Sequence, residues 1–320
     1  MPFMLIVNSK KGTALIYVIL IVGLLSVLVV NFIVKTRTYI NSTEYVKNQS
    51  RAYYIAKSGI ELSSFFLEKY ASNPQLLYQM LNKMTPYENG YPLLGGKLKL
   101  RLTDNDSKLN INQLIYENGA VNPTIYSEMQ RLFYILGIPE NILDNMVIFM
   151  QKTGLNYESL ELRSMGFINL KILPATNTAV LNNQFKNPFI SLRDIILVPQ
   201  MKYKYYYILR HFLTVYSSGD INVNSAPPQI LEALSPDIGK SAANELIKYR
   251  METPIMSVSQ IANIPGFSSA TLTSIVNRVE TTSGYYVIHS TGIYGGAKSK
   301  ISTLYYINGT EPQKIYEYIK

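Results

Sequence analysis

Asn8 to Lys35 reads NSKKGTALIYVILIVGLLSVLVVNFIVK. Lys10, Lys11 and Gly12 precede a run from Thr13 to Val34 that carries no charge, and Lys35 closes it. As a helix rising about 1.5 Å per residue, that run spans about 33 Å, enough to cross a hydrocarbon layer of about 30 Å. A cleavable secretory signal has an apolar core of about 7–15 residues followed by a small-x-small cleavage site. This core is longer and ends in Asn31, Phe32 and Ile33, with no such site. The segment therefore reads as an anchor that stays on the chain.

The helical signal continues past the membrane edge. From Lys35 to about Tyr70 there is no Pro and no Gly cluster. Val46, Tyr53, Ile60 and Leu67 recur every seven residues, with Ala52, Ala56 and Ser63 between them, a stripe suited to packing on a folded domain. Gly59 costs such a helix about 1 kcal/mol without ending it. The spacing predicts one helix of more than 50 residues, its first half in lipid and its second half against a soluble domain.

The remaining composition narrows the function. Nearly half of the residues are hydrophobic (47%) and 26 are Tyr, ample for a packed core. The chain has no Cys, so disulfides and thiolate metal sites are excluded. The net charge of +9 raises nucleic acid and anionic surfaces as partners, but the cations are scattered and make no long run. His211 and His289 are the two histidines, and no Walker A loop, G-x-S-x-G elbow or H-E-x-x-H motif occurs. The expectation is a protein that is not an enzyme.

Beyond the helix, Pro74, Pro86, Gly90, Pro92, Gly95 and Gly96 mark a loop. GKLKLRLTD (Gly96 to Asp104) alternates Leu with Lys and Arg, as a half-buried strand does. YYVIHSTGIYG and KISTLYYI flank Gly295-Gly296-Ala297-Lys298 and predict a C-terminal hairpin over 283–320. Between them, over 106–282, the patterns are mostly helical. MKYKYYYILRHF (Met201 to Phe212) interleaves cations with Tyr and is read as a packed segment with snorkelling lysines rather than a base-stacking surface.

A basic leader ending in Lys10-Lys11-Gly12, followed by an apolar helix that turns amphipathic, resembles the type IV pilin and pseudopilin family. The resemblance implies that prepilin peptidase cuts between Gly12 and Thr13, removing leader 1–12, and that the new terminus is methylated. It also implies a helix with a membrane half (13–34) and a periplasmic half leading into the first strand (35–105). The resulting fold is α+β: a long N-terminal transmembrane helix on a pilin-like antiparallel β-sheet with a large inserted α-helical domain. Most pilins carry Glu as the fifth mature residue, which pairs with the terminus of the subunit above; here that position is Tyr17. An unpaired acid in lipid is costly, so its loss fits a subunit with no neighbour above it.

LTDNDSKLNINQL (Leu102 to Leu114), SLRDIILVPQM (Ser191 to Met201) and INVNSAPPQILEAL (Ile221 to Leu234) together resemble minor pseudopilin K of type II secretion systems. That resemblance implies a tip subunit that initiates or caps the pseudopilus. The implied partners are other minor pseudopilins of the tip complex, the major pseudopilin, prepilin peptidase, the inner membrane and secreted proteins, with the C-terminal domain in the periplasm. It also implies calcium held by clustered acids, yet the expected stretch offers only Glu158 and Glu161, with Lys152 nearby. Asp104 and Asp106 read as turn residues. A minor pilin priming a type IV pilus is the alternative within this architecture.

Residues 221–276 also resemble tandem helix-hairpin-helix modules, which bind phosphate through backbone N–H groups. Gly239 and Gly266 keep one glycine of each hairpin, but Asp237 and Ser268 replace the others. A membrane-anchored DNA-binding protein is thus a further alternative, and hairpins that only pack helices are the expected outcome.

Overall fold

The computed structural model describes residues 9–70, 73, 90–154, 189–307 and 311–319. Pro74, Pro86, Glu158 and Glu161 lie outside them. Helix α1 (Ser9–Tyr70) is continuous over 62 residues. Its hydroxyls do not disturb it: Ser26, Thr38, Thr43 and Ser58 each donate to the carbonyl four residues back, at 2.8–3.0 Å. This bonding lets Ser26 sit in an apolar helix with its donor satisfied.

Strands β1 (Tyr91–Leu93), β2 (Gly96–Asp104), β7 (Tyr285–Tyr294), β8 (Ala297–Ile307) and β9 (Pro312–Ile319) form one antiparallel sheet in that order. The short strands β3 (Leu109–Asn110), β4 (Leu213–Thr214), β5 (Ile221–Asn222) and β6 (Val279–Glu280) pair in parallel, β3 with β4 and β5 with β6. On β2, Leu98 and Leu100 are buried while Lys97, Lys99 and Arg101 are exposed, as the alternation predicts. The β7–β8 hairpin turns at Gly295 and Gly296, both with positive φ (51° and 82°), the conformation of a type I′ turn. The expected hairpin gains a third strand, β9, whose residues are mostly exposed and show no alternation of burial for a sequence pattern to register.

α1 packs on this sheet through Ala52, Ile55, Ala56, Gly59, Ile60, Ser63 and Leu67, all buried. The expected stripe starts later than its spacing suggested, because Val46 is 60% exposed. The sheet ends at the Gly295 turn, where Asn48 Nδ2 donates to the Gly295 carbonyl (3.4 Å) and Gln49 Nε2 to Lys298 (3.3 Å). Below that point α1 has no sheet to cover it.

Between β2 and β7 lie helices α2 (Pro123–Leu136), α3 (Asn141–Gly154), α4 (Tyr203–Leu209), α5 (Pro228–Leu234), α6 (Lys240–Glu252) and α7 (Ser269–Ile275). They share one core, including Met129, Leu132, Phe133, Met146, Ile230, Ala243 and Leu246. Local chemistry sets their ends. The Asn122 side chain accepts from the Ile125 amide with Pro123 at the first turn, and Gly137 closes α2 at φ 64°. The Arg131 guanidinium donates to the Ala233 and Leu234 carbonyls (2.7 and 3.0 Å) and so caps the C-terminus of α5.

The Met201–Phe212 reading needs correcting in part. Leu209 is buried and Tyr205 and Tyr206 pack on the core, but Tyr203 and Tyr207 are 65% and 55% exposed. α4 is only seven residues long and turns one side of its aromatic set outward, with Arg210 over the Tyr207 ring.

Candidate functional site

The chain presents two linked features: a bare helical stem, and a buried polar junction that fixes the helical insertion to the sheet. From Thr13 to Lys47 nearly every residue of α1 is exposed, including Tyr17 at 67%. The helix Thr13–Lys69 contains a stretch long and apolar enough to span a membrane, none of it covered by the other described residues. Gly12 and Thr13 lie within the same continuous helix.

The insertion leaves the sheet after Asp104, the last residue of β2, and returns at Tyr285, the first of β7. Asp104 pairs in register with Tyr286. Its Oδ1 accepts from the Asp106 amide (2.8 Å), and its Oδ2 accepts from the Ser283 hydroxyl (2.5 Å), Asn222 Nδ2 (2.9 Å) and the Ser225 hydroxyl. Asp106 is fully buried; its Oδ1 accepts from the Ser218 amide (2.7 Å), and its Oδ2 accepts from the Gly284 and Tyr285 amides (2.7 and 3.1 Å). The two carboxyls thus join the exit strand, the return strand and the 218–225 loop. Burial raises the Asp104 pKa. It also lifts Asp106 to about 6, with the neighbouring Asp104 adding to the effect. Glu280, which accepts from the Ser218 hydroxyl at 2.8 Å, is raised to about 7, chiefly by burial.

The Asn motifs serve the same junction. Asn222 Oδ1 accepts from the Asn224 amide, and Asn224 exchanges two hydrogen bonds with the Ile255 backbone while donating to the Thr281 carbonyl. Asn112 does likewise with the Phe189 backbone and donates to Val215. Reading Asp104 and Asp106 as ordinary turn residues missed this role. The signal was available in the pairing of an Asp-x-Asp turn with INVNS more than a hundred residues away.

Of the hairpin residues, Gly266 and Ser268 take part in packing and capping, while Asp237 and Gly239 are exposed. Asp237 is exposed in the first, and Gly239 begins α6 at φ −82°, a conformation open to any residue. Gly266 has φ 90°, and a Cβ there would come 2.8 Å from that of Ala242, so glycine lets the hairpins approach. Ser268 caps α7 by accepting from the Thr271 amide (3.0 Å).

Among the described residues no group of three or more His, Asp or Glu is placed to hold a metal. The Asp104 and Asp106 oxygens are occupied by N–H and O–H donors, which does not suit a calcium ligand set. His289 Nδ1 lies 2.9 Å from the Ser302 hydroxyl on the outward face of the sheet.

Residues 221–279 match the family model of protein K of the type II secretion system. They include the INVNS stretch and both hairpins. The whole fold is similar to that of GspK in the crystal structure of the GspK–GspI–GspJ complex from the enterotoxigenic Escherichia coli type 2 secretion system. The TM-score is 0.54 at 16% identity, over 89% of this chain and 99% of that one. Both matches bear out the resemblance to minor pseudopilin K. No curated protein matches the sequence. The pilin-like fold explains why the stem and the junction occur together: the sheet holds the upper half of α1, and the junction mounts the helical insertion on the end of the sheet away from the bare stem.

Proposed function

We propose that this chain is a minor pseudopilin at the tip of a type II secretion pseudopilus, where it initiates or caps assembly and supports protein export. It acts by assembly, without catalysis. The stem of α1 packs beside the helices of other minor pseudopilins and, below them, the major pseudopilin. The observation that carries this reading is the position of the insertion. It sits beyond Asp104 and Tyr285, at the end of the sheet opposite the Gly295 turn where the stem emerges. A subunit stacked above would meet that bulk, while one stacked below meets a bare helix.

Tyr17 agrees with a terminal place, since a subunit without an upper neighbour has no amine for an acid at this position to pair with. In this reading prepilin peptidase cuts between Gly12 and Thr13, the 13–34 segment stays in the inner membrane, and the folded domain lies in the periplasm. The GspK–GspI–GspJ complex supports other minor pseudopilins as the first partners.

Co-expression with prepilin peptidase and the companion minor pseudopilins, followed by purification of the full chain in detergent, tests the proposal. The expected result is a new N-terminus at Thr13 and co-elution in a stable complex. An intact Met1 form that elutes alone would overturn it.

A further inference from the structure

We propose that the outward face of the sheet over Lys97–Arg101, His289–Ile293 and Lys298–Ser302 is a docking surface for an extended acidic segment of a protein partner. α1 covers the inner face, through Leu98, Leu100, Ser290 and Ile301. On the outer face the register sets Lys97 across from Ile293 and Lys298, Lys99 across from Thr291 and Lys300, and Arg101 across from His289 and Ser302. Five cations therefore share three neighbouring strands. No outward position on the five strands carries Asp or Glu: Asp104 pairs with buried Tyr286, and Glu317 pairs with inward Thr303. Like charges gathered on a sheet face repel, so bringing these side chains together costs stability.

The face is also shaped. Lys99, Arg101, His289, Thr291, Lys300 and Ser302 line a shallow cavity of about 480 Å³. Lys108, at the base of the insertion, is near enough to Arg101 for the two cations to repel; burial, and then Arg101, lower its pKa. Lys97, Lys99 and Arg101 repeat every second residue, about 6.8 Å apart, the spacing of alternate side chains in another extended segment. Lys298 and Lys300 form a parallel row two strands away, about 9.6 Å across. An extended segment with carboxylates at alternate positions can lie along the cavity and meet both rows.

The surroundings favour protein over the other polyanions. The uncharged run proposed to span the membrane ends at Val34, and the sheet begins beside Asn48. These 14 residues of exposed helix separate the face from lipid by about 21 Å. That exceeds a screening length of about 8 Å at physiological salt. No Phe, Tyr or Trp lines the cavity, and the His289 ring in it is held 2.9 Å from the Ser302 hydroxyl, which leaves little for a run of bases to stack on. The choice of a protein partner also rests on the proposed place of the chain in a protein assembly.

The test measures binding of a fluorescein-labelled peptide of alternating Glu and Thr to the full chain in neutral detergent. Saturable binding is expected at 50 mM salt, weakened at least tenfold at 300 mM salt and at least tenfold in Lys99→Gln/Lys300→Gln. Bound peptide should also protect Lys99 and Lys300 of the unmodified protein from acetylation, a readout that needs no variant. No binding at 50 mM salt, binding kept within twofold in the folded double variant, or absence of protection overturns the proposal. Tighter competition by oligo-dT or by phosphatidylglycerol-doped micelles overturns the choice of occupant. The stem is separate from this face, so loss of peptide binding with a Thr13 terminus and complex formation intact refutes the docking surface alone. An intact Met1 terminus with peptide binding retained refutes the assembly reading instead.

Discussion

Gly292 of β7 lies against the backbone of α1, so that a Cβ there would reach within 2.7 Å of the Ala56 amide nitrogen and closer still to the Ala52 carbonyl. Beside it the Ser290 hydroxyl donates to the Ala56 carbonyl across 2.7 Å. The helix is therefore seated on the sheet by backbone contact, with Ala52, Ala56 and Gly59 as its small residues.

Replacing Gly292 with Ala must lift α1, because the obstructing atoms belong to backbone. Overpacking of a filled core costs about 1–3 kcal/mol. A fall in Tm of several degrees is expected for the full chain in detergent, with larger loss for Gly292→Val. An unchanged Tm for both variants would show that the helix is seated less closely than described.

This contact also shows where sequence reading stops. The anchor was legible because an apolar run of membrane length needs no tertiary information. The β2 alternation and the Gly295-Gly296 turn were legible for the same local reason. Gly59 reads in isolation as a weak point of a helix, yet it is where Leu98, Leu100 and Ser290 come closest. Val46 keeps the helical period but lies below the edge of the sheet, a limit that periodicity does not carry. Asp104 and Asp106 look like turn formers because their partners, from Ser218 to Tyr285, are brought in only by the complete insertion. β9 was missed because an exposed edge strand need not alternate.

Asp104→Ala would leave two hydroxyls, the Asn222 amide and the Asp106 N–H without their common acceptor. Unsatisfied buried donors cost about 1–3 kcal/mol each before relaxation. The expected phenotype is local: the insertion loosens at its root while the α1–sheet contact persists. Limited proteolysis checks this. Cleavage near 105–107 or 281–284 should rise at least tenfold, with Asp104→Asn intermediate, and a pattern identical to the unmodified protein would refute the junction's role.

Within the insertion, Arg278 grips Glu128 with two parallel bonds, Nε to Oε1 (2.8 Å) and Nη2 to Oε2 (2.9 Å). Glu128 is buried, and Arg278 also donates to the Gly219 carbonyl (2.8 Å). Removing one partner of a buried pair costs about 3–5 kcal/mol, whereas replacing both with apolar groups costs far less. Glu128→Leu alone should therefore destabilise the protein more than Glu128→Leu/Arg278→Met. Denaturant unfolding of Glu128→Leu, Arg278→Met and the double variant decides it, and a double variant as unstable as the sum of its singles would count against coupling.

The junction also predicts how stability responds to pH. Asp106 and Glu280 have pKa values raised to about 6 and about 7 from ordinary values of 3.8 and 4.5, in both cases chiefly through burial. The folded protein therefore holds protons more tightly than the unfolded chain. The stability this provides is complete below about pH 4 and is lost as pH rises through 6 and 7. The Tm of the full chain in detergent should fall between pH 5 and pH 8. Glu280→Gln, which cannot ionise, should flatten the upper part of that decline and leave the lower part, set by Asp106, in place. A Tm that climbs over this range, or a Glu280→Gln profile that follows the unmodified protein throughout, would show that these carboxyls ionise in the folded state as readily as in water.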